Sequence, residues 1–242
     1  MATFDISKLQ RGMDPNAGYC VDIAMLIDAT GSMSPIISEV KSNALKFCKK
    51  FHNSMENSGK NVEELRIKVI PFRDYGCDGT YAMSESDFFV LPDEEAAFQE
   101  FVNSIEAKGG GDEPESSLEA LALAMRSDWT TKGSKRRHVI LMFTDASAHP
   151  LGSPACVKNP TYPPDMPKNL AELGEMWSGA GQESKGMPDS KSARLVVFAP
   201  DCTPWNDMQL WNNYWPSFSK AGTGLDDVDI DTAINLLVGS VG

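Results

Sequence analysis

Residues 21–32 read Val-Asp-Ile-Ala-Met-Leu-Ile-Asp-Ala-Thr-Gly-Ser. The first seven, Val21–Ile27, are a nearly continuous apolar run bounded by polar residues, the pattern of a strand buried on both faces. Asp28, Thr30 and Ser32 then place a carboxylate and two hydroxyls in five residues directly beyond it. Ser34 followed by Pro35 is a helix start, a hydroxyl cap with proline in the first turn. Ile36, Ile37, Val40, Ala44, Leu45, Phe47, Cys48 and Phe51 recur at helical spacing up to an end near Ser58 and Gly59.

Strands and helices continue to alternate outward from it. Residues 65–72 (LRIKVIPF) form a second strand, and 87–91 a short third one at an edge. Asp93 caps a helix to about Ile105, with Phe98, Phe101, Val102 and Ile105 inward. After Gly109-Gly110-Gly111, residues 113–127 are helical. Strands follow at 137–144 and 194–199, with a short sixth around 218–221, and helices near 168–178, 205–213 and 229–239. This alternation predicts an α/β protein whose mostly parallel sheet is covered on both faces. No internal repeat or linker interrupts it, so residues 1–18 are an irregular lead-in and 19–242 one domain.

Composition narrows the function. The apolar fraction of 41% and charged fraction of 23% are those of an ordinary globular chain. A net charge of −12 disfavours nucleic-acid phosphates and anionic membranes as partners. No apolar run approaches the ~18 residues of a membrane span. The first 18 residues (MATFDISKLQRGMDPNAG) lack an apolar signal core. Cys20, Cys48, Cys77, Cys156 and Cys202 form no C-x-x-C pair, so neither a disulfide framework nor a zinc site is expected, and reduced thiols in a cytoplasmic protein are the simplest account.

In open α/β sheets, ligands bind beyond the carboxyl ends of the strands, where strand order reverses. Beyond the first strand lie Asp28, Thr30 and Ser32, after the glycine triplet Asp112, Glu113 and Glu115, and after the fourth strand Thr144 and Asp145. Oxygen donors from three loops, without His or Cys, suit a hard divalent cation. Asp112-x-x-Glu115 with Pro114 between also reads as a capping box, a role compatible with metal binding. Asp74, after the second strand, reads as a turn or salt-bridge residue, and His149 as a solvated residue of the proline-rich loop 146–168. His52 and His138 read as structural, and Trp205, Trp211, Tyr214 and Trp215 as core at helical spacing.

D-x-[ST]-x-S at Asp28–Ser32, G-G-G-D-x-P-E at Gly109–Glu115 and T-D at Thr144–Asp145 together resemble the metal ion-dependent adhesion site (MIDAS) of a von Willebrand factor A (vWA) domain. The resemblance covers roughly residues 20–240. Phe72-Arg73-Asp74-Tyr75 and the Gly-Thr-Gly at 222–224 are similar to intracellular members, some of which accompany bacterial stress and conflict systems. The resemblance implies a doubly wound, six-stranded, Rossmann-like sheet with an antiparallel edge strand. It implies Mg²⁺ (Mn²⁺ or Ca²⁺ in its place) held by Thr30 and Ser32 directly and by Asp28 and Asp145 largely through water, a partner's carboxylate completing the shell. Many adhesive members supply a threonine in the second loop, where this chain has Asp112.

Three functions compete for this pattern. The first is a non-enzymatic scaffold or regulatory module that binds a protein partner at the metal face. The second is a regulatory subunit of an ATP-driven, chelatase-like machine. The third is metal-dependent phosphoryl transfer, disfavoured because D-x-D phosphatases need a carboxylate where this chain has Thr30, and no G-x-S-x-G elbow is present.

Overall fold

The apolar run opens the central strand, β1 (Tyr19–Asp28), buried at every position after Tyr19. The computed structural model describes residues 17–111, 113–180, 186–219, 225 and 230–241, apart from the side chains of 45 and 230. Asp112, the Gly-Thr-Gly at 222–224 and nearly all of the lead-in lie outside them.

β1 pairs in parallel with β2 (Val62–Phe72) on one side and β4 (Lys135–Phe143) on the other. β3 (Phe89–Leu91) is antiparallel to β2 at one edge. β5 (Ala193–Pro200) and β6 (Tyr214–Ser219) continue in parallel at the other, giving the order β3-β2-β1-β4-β5-β6. The order reverses between β1 and β4, so the crevice expected of a doubly wound sheet opens at their carboxyl ends.

Alternation along β1 decides which layer each residue meets. Val21, Ile23, Met25 and Ile27 pack under α1 (Ser34–Asn57), α2 (Glu95–Ser104) and α5 (Ile230–Ser240). Ala24 and Leu26 face α3 (Ser117–Met125) and α4 (Leu170–Ser178). Burying each large apolar side chain contributes about 1.5–3 kcal/mol, so a register slip on β1 is strongly disfavoured and Asp28 is held at the strand end. Among the described residues no helix is long and apolar enough to cross a membrane.

Several sequence expectations shift. The helix expected at 113–127 begins only at Ser117 with Ser116 in the cap position, so Asp112-x-x-Glu115 does not open it. Instead Glu115 forms an isolated parallel bridge with Ala148, which draws the segment into the loop after β4. The expected helix at 205–213 is a short 3-10 turn, Asn206–Leu210, because the chain must turn into β6 at Tyr214. The sixth strand lies earlier than 218–221; Pro216 masks it in sequence, yet an edge strand tolerates proline. Ser34 is the first residue of α1, not its cap, and α2 follows Glu94, not Asp93.

Candidate metal centre at the strand ends

Two aspartates on β1 share the face of Ala24 and Leu26, and their partners differ. Asp22 receives Arg66 through Nε (2.8 Å) and Nη2 (2.6 Å), and the Thr130 amide at 2.6 Å. That is a complete structural ion pair. Asp28, fully buried, receives only neutral donors: the Thr30 amide (3.0 Å) and hydroxyl (2.7 Å) on Oδ1 and the Thr144 hydroxyl (2.8 Å) on Oδ2. Burial pushes its carboxyl up to about 6, despite those hydrogen bonds.

A chain of oxygens runs outward from Asp28. Thr30 Oγ1 lies 3.3 Å from Ser32 Oγ, which donates to Asp145 Oδ1 at 3.2 Å. The sheet thereby gathers four of the expected ligand residues, Asp28, Thr30, Ser32 and Asp145, from the ends of β1 and β4. Asp112, the fifth, lies outside the described residues. Octahedral Mg²⁺ with bonds of about 2.0–2.1 Å sets adjacent oxygens about 2.9 Å apart. The spacing and the all-oxygen chemistry therefore fit a hard cation.

The surrounding loops have their own fasteners. Arg73, at the end of β2, gives its guanidinium to four backbone carbonyls: Ala29 (3.1 Å) and Lys108 (2.7 Å) through Nε, Tyr81 (2.7 Å) through Nη1 and Glu106 (2.6 Å) through Nη2. Asp78 accepts the Asp74 amide at 3.1 Å and the Gly110 amide at 3.2 Å, joining the loop after β2 to the glycine triplet. Gly109 and Gly110 have φ of +79° and +70°. A Cβ on Gly109 would lie 2.1 Å from Asp78 Oδ1, and one on Gly110 2.7 Å from Thr30 Cγ2. Both a left-handed backbone and close approach require glycine here.

Glu115, counted in sequence among the second-loop oxygens and as the end of a capping box, was not among the five expected ligands. It is only 4% exposed, and its Oε2 has no hydrogen-bond partner among the described residues. Burial, and then the negative charges of Asp28, Asp74, Asp78 and Asp145, push its carboxyl up to about 9. An orphaned buried carboxyl surrounded by four acids is what a cation would relieve. In sequence Glu115 completes a capping box, and that local pattern hid it.

His149 differs from its reading as a solvated residue. Its side chain is 17% exposed and its Nε2 lies 3.1 Å from Asp74 Oδ1. The loop bridge explains this, because the His149 amide donates to the Glu115 carbonyl at 2.9 Å and so turns the ring inward. Asp74 is the salt-bridge residue expected. His138 is buried, its Nε2 3.0 Å from the Thr130 carbonyl, and Trp205 is core, its Nε1 donating to the Ala146 carbonyl at 3.0 Å. All five cysteines are free thiols.

A family model described as von Willebrand factor A domain matches residues 22–153, more than half of the chain. The chain is 27% identical over 133 residues to the alpha-protein kinase vwkA of Dictyostelium discoideum, a match covering 55% of this chain and 19% of that protein. It is 31% identical over 125 residues to human von Willebrand factor A domain-containing protein 7, covering 52% of this chain and 12% of that one. The chain thus matches less than a fifth of the length of either relative. Among solved structures, the pilus adhesin SpaC from Lactobacillus rhamnosus GG superposes with a TM-score of 0.54 at 12% identity, over 94% of this chain and 31% of that one. At that identity the likeness concerns the fold alone. Strand order, the strand-end oxygen cluster and the family match agree, and the chain belongs to the von Willebrand factor A domain family.

Proposed function

We propose that residues 19–242 act as one metal-dependent protein-binding module, a scaffold or regulatory component and not an enzyme. The observation that carries this reading is the line of oxygens from Asp28 through Thr30 and Ser32 to Asp145, spaced 2.7–3.3 Å apart at the switch point of the sheet. Thr30 and Ser32 would hold Mg²⁺ directly, with Mn²⁺ or Ca²⁺ as alternatives. Asp28 and Asp145 orient the hydroxyls and balance charge, and Asp112 adds a carboxylate from the second loop. When bound, the cation supplies a coordination position for a partner's carboxylate. The Thr30 and Ser32 hydroxyls donate to the Asp28 and Asp145 carboxylates, which aims their lone pairs at a cation and supports the binding reading. The partner is a protein carrying an exposed Asp or Glu, and neither nucleic acid nor a membrane suits a chain of net charge −12.

Calorimetric titration of Mg²⁺ and Mn²⁺ into the wild type and Asp145→Ala tests this. One site per chain is expected in the wild type, with affinity lowered by at least about tenfold in the variant. Partner capture should depend on Mg²⁺, be reversed by EDTA and be absent in Asp145→Ala. Wild-type metal affinity in the variant would remove the basis of the reading.

A further inference from the structure

Asp74, His149 and Cys156 meet a short way from the oxygen cluster. Asp74 Oδ1 lies 3.1 Å from His149 Nε2 and 3.7 Å from Cys156 Sγ, and the three ligand atoms all fall within 4.8 Å of one another. Cys77 Sγ lies 3.2 Å from the other oxygen of Asp74, Oδ2, and stands outside that trio. We propose that Asp74, His149 and Cys156 form a second metal site for a borderline-soft cation of the Zn²⁺ type, its fourth position left to water, chemically distinct from the all-oxygen cluster.

Donor chemistry argues first. One imidazole nitrogen, one sulfur and one carboxylate oxygen with an open fourth position are a zinc set, and hard Mg²⁺ or Ca²⁺ does not select thiolates. Distances argue next. Bonds of about 2.0–2.2 Å to N and O and 2.3 Å to S place neighbouring ligand atoms of a tetrahedron about 3.3–3.8 Å apart. The Asp74–His149 and Asp74–Cys156 separations of 3.1 and 3.7 Å lie close to those edges.

The ligands are also already held in place. Asp74 Oδ1 accepts the Gly76 amide at 2.8 Å and lies 3.4 Å from Ser116 Oγ. The backbone of His149 is fixed to Glu115, and Asn159 donates to the carbonyls of Tyr75 (3.0 Å) and Gly79 (2.7 Å), clamping the loop that carries Cys156 onto the loop that carries Asp74 and Cys77. Cys156 is fully buried, whereas Cys77 is exposed and His149 partly so, which leaves an entry side.

On coordination the thiol of Cys156 loses its proton to solvent. The sequence carries no sign of the site, because His149 lies 75 positions beyond Asp74 and no C-x-x-C spacing occurs. The site would staple the proline-rich loop 146–168 to the end of β2 and fix the rim of the strand-end cluster. Cross-linking two loops that own little regular structure is the usual use of structural zinc.

Co²⁺ replaces Zn²⁺ and reports sulfur ligation by a thiolate-to-metal charge-transfer band, which an oxygen cluster cannot produce. Co²⁺ titration of the full chain is expected to give that band at one equivalent and to give it equally in Asp28→Ala, which isolates this site from the first. His149→Gln, a partly exposed position that should fold, is expected to lose at least about tenfold in Co²⁺ affinity. Cys156→Ser should abolish the band, and Cys77→Ser should keep it. The absence of a sulfur band in the wild type, or a band and affinity unchanged in His149→Gln, would overturn the proposal.

Discussion

Glu119 shows how one buried acid sets a pH dependence away from the cation cluster. It is fully buried on α3, accepts the Tyr162 hydroxyl on Oε1 at 3.0 Å, and its Oε2 has no partner among the described residues. Burial pushes its carboxyl well above the usual carboxylate range, up to about 7. Below the unfolded value the acid is protonated in both states, and the folded chain keeps its full stability. As pH rises from there through about 7, the unfolded chain releases the proton first, so stability falls. Glu119→Gln keeps the shape and the Tyr162 contact without the charge. The variant should be more stable than the wild type by up to about 3 kcal/mol near pH 8, the gain vanishing toward about pH 4. Urea melts across that range measure it, and a gain independent of pH would show that ionisation is not its cause.

At the scale of elements, the glycine triplet is the joint between loops. Gly110 has φ +70° and sits against Thr30 and Glu115, whereas Gly79, with φ +58°, has nothing within 4 Å of a notional Cβ. Alanine at either position meets left-handed backbone strain of about 1–2 kcal/mol. Only at Gly110 does the methyl also displace Thr30, so Gly110→Ala should cost more stability than Gly79→Ala and weaken Mg²⁺ binding as well. Gly79→Ala should leave metal affinity intact. Thermal melts and calorimetry of the pair separate strain from displacement. If both variants bind Mg²⁺ like the wild type, the Gly110–Thr30 contact does not position the hydroxyl. Arg73 acts at the same scale, because four carbonyls from three loops converge on one guanidinium and a lysine ammonium cannot reproduce that fork.

For the whole molecule, the proposed metal binding at the switch point would be linked to folding, since the cluster forms only when β1 and β4 pair. Free Mg²⁺ at about a hundredfold its dissociation constant should add about 2.7 kcal/mol, a rise in Tm of roughly 5–10 °C for a chain of this size. Asp28→Ala should show no rise, and its metal-free Tm should equal or exceed that of the wild type, because a buried carboxyl without a cationic partner is removed. A scanning calorimeter decides both. The apolar run at 21–27 by itself determined a central buried strand, since no other element buries such a run on both faces, and the strand–helix alternation determined the sheet around it. The meeting of Asp28, Thr30, Ser32 and Asp145 was legible because Asp28 and Asp145 directly follow recognisable strands and Thr30 and Ser32 lie two and four residues beyond Asp28. The edge strand β6 was misplaced, because proline obscures a strand whose pairing is decided by its neighbour. Tertiary structure alone decided the burial of Glu115, the role of Arg73 and the meeting of Asp74, His149 and Cys156. Their roles depend on loops whose approach is set by carbonyl and amide hydrogen bonds, and backbone groups carry no trace of their partners in the sequence.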